Sequence, residues 1–159
     1  MDIAMTNPTG TGFDFAHDGT DLIISDGLLE LLINTLFRDA RAPTEILEPG
    51  EDPRGHWSTD LEGDTPDGSL LWTLRREKIT PNMPYRVAEL MEKACAFMIT
   101  ATEGPAEPVV KIQASCKKAN QRGRIEGELI LFLNQSLEQR RFSVIYDPIN
   151  QEYNVKEVA

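Results

Sequence analysis

The stretch VVKIQASCKKANQRGRIEGELILFLNQSLEQRRFSVIY (Val109–Tyr146) decides the fold, because across it the hydrophobic period falls to two. Val110, Ile112, Ala114 and Cys116 alternate with Lys111, Gln113, Ser115 and Lys117, the pattern of a half-buried strand. Asn120 to Gly123 (NQRG) supplies a turn. Leu129 to Leu133 is apolar at every position, as expected of a central strand covered on both faces. Asn134 to Glu138 reads as a loop, after which Phe142, Val144 and Tyr146 alternate with Arg141, Ser143 and Ile145 until Pro148. The three runs predict an antiparallel meander, followed by a loosely held tail over 148–159.

Upstream, the period is helical. Val87, Met91, Ala94 and Met98 recur at spacings of four, three and four, with Leu90, Cys95 and Phe97 widening the stripe. Pro81 and Pro84 are tolerable only in a first turn, so this helix is expected from about Met83 to Thr102, before Gly104-Pro105. A shorter helix is expected through Leu70, Leu71, Trp72 and Leu74, ending in the cations Arg75, Arg76 and Lys78 that suit the negative end of its dipole. The first helix should run from about Gly27 to Asp39 behind an Asp26 N-cap. Its apolar positions are Leu28, Leu29, Leu32, Ile33, Leu36 and Phe37, with Glu30, Asn34 and Arg38 on the polar side.

Helices followed by a meander predict an α+β domain: three helices, then a three-stranded antiparallel sheet, with the helices packed on one sheet face. The single domain is expected over 22–147, with residues 1–21, rich in Gly, Thr, Asp and Asn, as an extended arm. From Ala42 to Gly68 four prolines and four glycines predict a long irregular loop, a kind that is usually functional or disordered. Trp57 inside it, flanked by Arg54 and His56, is expected to fold back onto the body or to meet a partner.

A formal charge of −10 over 159 residues argues against a general nucleic-acid binder, which needs a positive surface for phosphate contacts. The charge is uneven. Eight acids between Thr44 and Asp67 face Arg54 alone, whereas Arg75, Arg76, Lys78, Lys117, Lys118, Arg122, Arg124, Arg140 and Arg141 crowd later positions. Such polarity suits docking between unlike protein surfaces. No apolar run approaches a membrane span, and MDIAMTNPTG lacks the basic start and apolar core of a signal peptide. Cys95 and Cys116 both fall at inward phases, which suggests no disulfide framework and fits synthesis in a reducing cytoplasm.

Three segments in order, DGLLELLINTLFRDARAP (Asp26 to Pro43), DPRGHW (Asp52 to Trp57) and GSLLWTLRREKIT (Gly68 to Thr80), followed by the long helix and meander, resemble the baseplate family of Mu-like contractile-tailed phages. The resemblance covers roughly Leu22 to Asp147 and extends to the broader class of sheath initiators often labelled lysozyme-like. Where that class carries Glu-Pro-Arg at the entry to the first strand, this chain reads Glu107-Pro108-Val109. The resemblance implies a structural subunit of the virion tail baseplate, assembled in the host cytoplasm, that links the wedge to the first sheath ring by accepting sheath strands on its β-sheet. Implied partners are the tail sheath protein, the wedge proteins and further candidates in the central tube or hub, with no nucleic acid, membrane or cofactor. The wedge-facing residues would be Arg54, His56, Trp57, Arg75 and Arg76. Sheath strands would dock on the first strand, at Val109, Lys111, Gln113 and Ser115, and on the third, at Arg141, Ser143 and Ile145.

The lysozyme-like label invites a search for two carboxylates across a cleft, and Glu48, Glu51 or Asp60 could nominally supply them. A general acid needs an apolar pocket to raise its pKa, and none surrounds these positions, so no enzymatic activity is expected. His56 with Asp60, Glu62 and Asp64 matches no standard metal spacing. The readings set against a tail subunit are a tail hydrolase and a free acidic adaptor or inhibitor.

Overall fold

A computed structural model describes residues 2–7, 12–55, 68–100, 108–133 and 138–158. Among these, the expectation of three helices and a three-stranded meander is corrected to two helices longer than a turn and a four-stranded antiparallel sheet, with two small strand pairs near the N-terminus. In chain order the elements are β1 (Asp2–Ile3), β2 (Met5–Thr6), β3 (Asp14–Phe15), β4 (Ile24–Ser25), α1 (Leu28–Phe37), 3₁₀ turns at Thr44–Ile46 and Leu71–Arg76, and α2 (Met83–Cys95). The large sheet follows, with β5 (Val109–Lys118), β6 (Ile125–Leu133), β7 (Gln139–Asp147) and β8 (Glu152–Val158) in that spatial order.

Both helices lie on one face of this sheet, α2 mainly against β5 and α1 against β8 and α2. Leu32, Leu36, Val87, Met91 and Met98 meet Leu129, Leu131, Phe142 and Val144 in one continuous core. The helical stripe read from the sequence is therefore the buried one. Expulsion of these side chains from water is the main favourable term in folding, at roughly 1.5–3 kcal/mol for each large apolar side chain.

Four local corrections have physical causes. The segment Leu71–Arg76 is a 3₁₀ helix, too short to repay α-helix nucleation, and Ser69 Oγ–H donates to the Leu36 carbonyl (2.6 Å) to hold its start. The long helix ends at Cys95 and continues only as a single turn, Phe97–Thr100. A β-bulge between Val109 and Lys111 turns Val109 into the core (1% exposed) and Val110 outward (48%), reversing the expected phase at the start of β5. On β6, Leu129, Leu131 and Leu133 are buried while Ile130 and Phe132 are half-exposed on the other face, so this strand is covered on one face only.

The fourth strand comes from the residues read as a tail. Asp147 is fully buried, accepts from the Asn150 main-chain N–H (2.9 Å) and side-chain N–H (2.8 Å), and turns the chain at Pro148 to Gln151 so that β8 returns along β7. Arg124 pairs with Glu152 beneath this turn. Gly123, at φ +92, lets the β5–β6 turn sit against Ile149, whose Cδ1 would lie 2.6 Å from any added Cβ.

At the N-terminus the chain is stitched to α1 by Glu30, expected on the polar side but only 3% exposed. Its carboxylate accepts from the Met5 N–H (3.0 Å) and from the Ser25 hydroxyl (2.7 Å). Gly27, at φ +84, holds the helix N-cap position in place of Asp26, which accepts instead from the Leu28 N–H (3.1 Å) and pairs with Arg140 of β7.

Candidate interaction surfaces

The first surface gathers around the end of α1. Arg38 and Ala40 pair with Ser69 through main-chain bonds of 2.8 and 2.9 Å, which brings the Asp39 segment beside the 3₁₀ turn. Gly68 permits this approach, since a Cβ there would stand 2.4 Å from the Arg38 carbonyl oxygen. The Asp39 carboxylate then receives Arg54 Nη1 at 2.7 Å and Arg75 Nη2 at 3.4 Å. Arg54 stacks 4.5 Å over Trp72, and Arg75 lies 5.4 Å over Tyr153. Trp72 is 3% exposed and donates its indole N–H to the Ala40 carbonyl (2.8 Å), so it anchors the plate from within.

Arg54 is held in left-handed backbone (φ +56), a conformation costing a non-glycine residue roughly 1–2 kcal/mol. Its N–H donates to Asp52 Oδ1 (2.9 Å) and its side chain finds both Asp39 and Trp72, contacts that offset the cost. The next residue, Gly55, lies so close to Arg41 that a Cβ would meet its Cα at 2.9 Å. The start of the acidic loop thus folds back onto the body. Of the residues expected to face the wedge, Arg54 and Arg75 are brought together and half-exposed, Arg76 closes the 3₁₀ turn with its side chain outside the described atoms, and His56 and Trp57 lie outside the described residues.

The second surface is the sheet itself. Lys111, Gln113 and Ser115 of β5 share the outer face with Arg141, Ser143 and Ile145 of β7, separated by Glu126, Glu128, Ile130 and Phe132 of β6. Lys111 Nζ sits 5.2 Å over the Phe132 ring, and a shallow depression of about 560 Å³ is lined by Ser115, Lys117, Glu128, Ser143, Ile145 and Val158. Two assignments need correction. Val109 is buried in the core and offers no side chain to a partner. β7 is paired with β6 on one side and β8 on the other, so Arg141, Ser143 and Ile145 contribute side chains to a face but no free strand edge.

The two edges of the sheet are β5 and β8. Along β8, the Tyr153 carbonyl accepts from Asn7 Nδ2 (2.7 Å), α1 packs alongside, and Arg140 ties Glu157 to Asp26. Along β5, the Ala114 N–H donates to Glu92 Oε1 of α2 (2.7 Å). Ala114 therefore turns its main chain away from β6, and by the antiparallel alternation Gln113 and Ser115 turn theirs toward it.

Residues 28–136 match the family described as phage protein GP46. The chain belongs to this family. It is also 39% identical over 101 residues to the baseplate protein gp46 of Escherichia phage Mu, across 63% of this chain and 69% of that protein. No solved structure matches it. The GP46 match runs from α1 to just past β6 and so takes in Asp39, Arg54, Arg75, Glu92 and β5, whereas Tyr153 and the whole of β8 lie beyond it.

Within this GP46 core, the acids considered for hydrolysis form no carboxylate pair across a cleft among the described residues. Glu48 is exposed, the Glu51 carboxylate accepts from the Glu48 N–H (3.0 Å), and Asp60 lies outside the described residues, as do Glu62 and Asp64. Among the described residues no group of His, Cys, Asp or Glu is arranged to hold a metal ion, and no helix is long and apolar enough to cross a membrane. Burial pushes the Cys95 thiol up to about 12; burial, with the Glu92 charge adding, does the same for Cys116, which keeps both as inert thiols. Sequence reading missed Asp39 and Glu92. Each acts on residues far along the chain, and no local pattern marks either.

Proposed function

We propose that this chain is a structural subunit of a contractile tail baseplate that joins the wedge to the first sheath ring, receiving a sheath strand along the outer edge of β5. The observation that carries the strand-addition reading is β5 itself: ten residues long, at the margin of the sheet, with no strand among the described residues on its outer side. Strand addition needs such an edge, because main-chain hydrogen bonds supply directional affinity and alternating side chains fix register. The baseplate assignment rests on GP46 membership and on the named role of the Mu relative.

The wedge-facing surface in this reading is the Asp39, Arg54 and Arg75 corner together with Arg76, His56 and Trp57. A preformed plate of cations over aromatics matches the arginine and aromatic enrichment of interface anchors. Sheath contacts beyond the edge fall to Lys111, Gln113 and Ser115 and, across the outer face, to Arg141, Ser143 and Ile145. The protein then resides in the virion tail after assembly in the host cytoplasm.

The test is co-expression with the neighbouring baseplate and sheath proteins, followed by pull-down. A complex containing both is expected, and failure to form any complex overturns the assembly role. Trp57→Ala should weaken wedge capture while leaving the melting temperature close to wild type; a large fall in melting temperature would assign Trp57 to the core instead.

A further inference from the structure

The β5 edge is occupied at its centre by this chain's own carboxylate. Glu92 Oε1 accepts the Ala114 N–H at 2.7 Å, the position that a carbonyl of an added strand would take. Glu92 reaches it from α2, which packs along β5 from the inner face, while its helix neighbour Lys93 is engaged by Glu89 (2.8 Å). On the outer side the same strand presents Lys111 and Lys117, both exposed, and carries no acidic residue from Val109 to Lys118. Lys117 has Glu126 at 3.9 Å and Lys111 lies over Phe132, so among the described residues neither cation is held by a close ion pair. Edge lysines and a covered amide are devices that keep a sheet margin from pairing indiscriminately.

We infer that Glu92 is a displaceable plug on the β5 edge, released when an extended segment with acidic side chains opposite Lys111 and Lys117 pairs with the strand. This rests on the strand-addition reading above and specifies its regulation and the chemistry of the partner. The incoming main-chain carbonyl replaces the Glu92 oxygen on Ala114, so that amide stays satisfied before and after pairing. Acids on the outer face of the new strand lie cross-strand from the lysines, where opposite charges favour register. An uncharged or basic strand gains nothing there and must still dislodge a charge-assisted hydrogen bond, so the plug also selects.

The experiment measures recruitment of the tail sheath protein, together with amide exchange at Ala114, for the wild-type chain, Glu92→Ala and Glu92→Gln. Glu92→Ala should recruit roughly three- to tenfold faster, with faster Ala114 exchange in the free protein and restored protection in the complex. Glu92→Gln, which can still accept the bond without its charge, should fall between. Recruitment by Glu92→Ala at or below the wild-type rate overturns the plug while leaving strand addition standing. If neither wild type nor variant recruits sheath, although Ala114 exchange responds to the substitution, the strand-addition reading itself fails. Lys111→Glu with Lys117→Glu should lower recruitment by about tenfold at unchanged melting temperature, and undiminished recruitment would refute an acidic partner strand.

Discussion

The two margins of the sheet are finished differently. β8 is met by the N-terminal segment at one point, the Asn7 side chain on the Tyr153 carbonyl, is flanked by α1, and is tied by Arg140, which bridges Glu157 to Asp26. β5 is longer and lysine-bearing, is packed by α2, and has its central amide met by the Glu92 carboxylate. A margin stitched to other elements by ring packing and ion pairs is held for the life of the fold, whereas an amide met by a single side chain can change its partner at small cost. In the proposed function β8 is the structural closure and β5 the margin that exchanges partners.

The contrast would break most severely if β8 were dispensable. A stop after Asp147 removes the buried Val155 and the Tyr153 ring that packs on Phe37 and Tyr146 at 5.6 and 5.7 Å. The expected loss exceeds about 5 kcal/mol, comparable with the whole stability of a small domain. Denaturant unfolding checks it, and a truncated chain that melts like wild type would return β8 to the status of a tail.

A pair of proline substitutions on β5 sharpens the other half. Gln113→Pro removes an N–H that faces β6 and should cost about 3 kcal/mol or more, while Ala114→Pro removes one that faces Glu92 and should cost about 1 kcal/mol. Only the second should abolish sheath capture by a protein that still folds. Equal destabilisation by the two would mean that the alternation along β5 is misassigned.

Much of the fold is legible in the amino-acid sequence. Val87, Met91, Ala94 and Met98 declare a buried helical stripe by spacing alone, and Phe142, Val144 and Tyr146 declare an inward strand face, because periodicity is a local property of the chain. The return strand β8 has a signal, Tyr153 and Val155 alternating with Asn154 and Lys156 after a Pro148 turn, but its mixed charge reads equally well as a solvated tail. The bulge at Val109 reverses the phase of Val110 without any sequence mark that periodicity can register. The interaction surfaces are the least legible. Arg54 and Arg75 can be singled out as cations, yet their meeting on Asp39 depends on main-chain pairing between residues around 39 and 69. Glu92 looks like any solvent-facing helix acid until β5 is laid beside it.

Alkaline titration distinguishes the margins by their ionisable groups. On the β5 side, the unfolded Cys116 thiol ionises near 9.0 whereas burial, with the Glu92 charge adding, holds the folded one to about 12. A folded-state pKa that is raised gives stability fully present below the unfolded value and lost as pH climbs, so stability should decline between pH 9 and 12. Cys95 contributes in the same window. On the β8 side, burial raises Tyr153 from 10.0, so its share is lost only above that pH. Cys116→Ala should make the decline above pH 9 shallower in pH-dependent melts, and Tyr153→Phe should leave the pH 9 to 10 portion unchanged.

The smallest effect is expected at the charged corner. Asp39→Asn releases two half-exposed arginine pairs, which together should change stability by no more than about 1 kcal/mol. Capture of wedge proteins should nevertheless fall, because Arg54 and Arg75 lose the carboxylate that orients both. Unaltered capture would remove this corner from the proposed wedge surface.

The most direct measurement is residue-resolved amide exchange on the isolated chain and on its complex with the tail sheath protein. New protection is expected at the outward-facing amides of β5, Ile112, Ala114 and Cys116, with exchange along β8 the same in the complex as in the isolated chain. Protection arising along β8, or a complex that leaves the β5 edge exchanging as before, would contradict strand addition at β5.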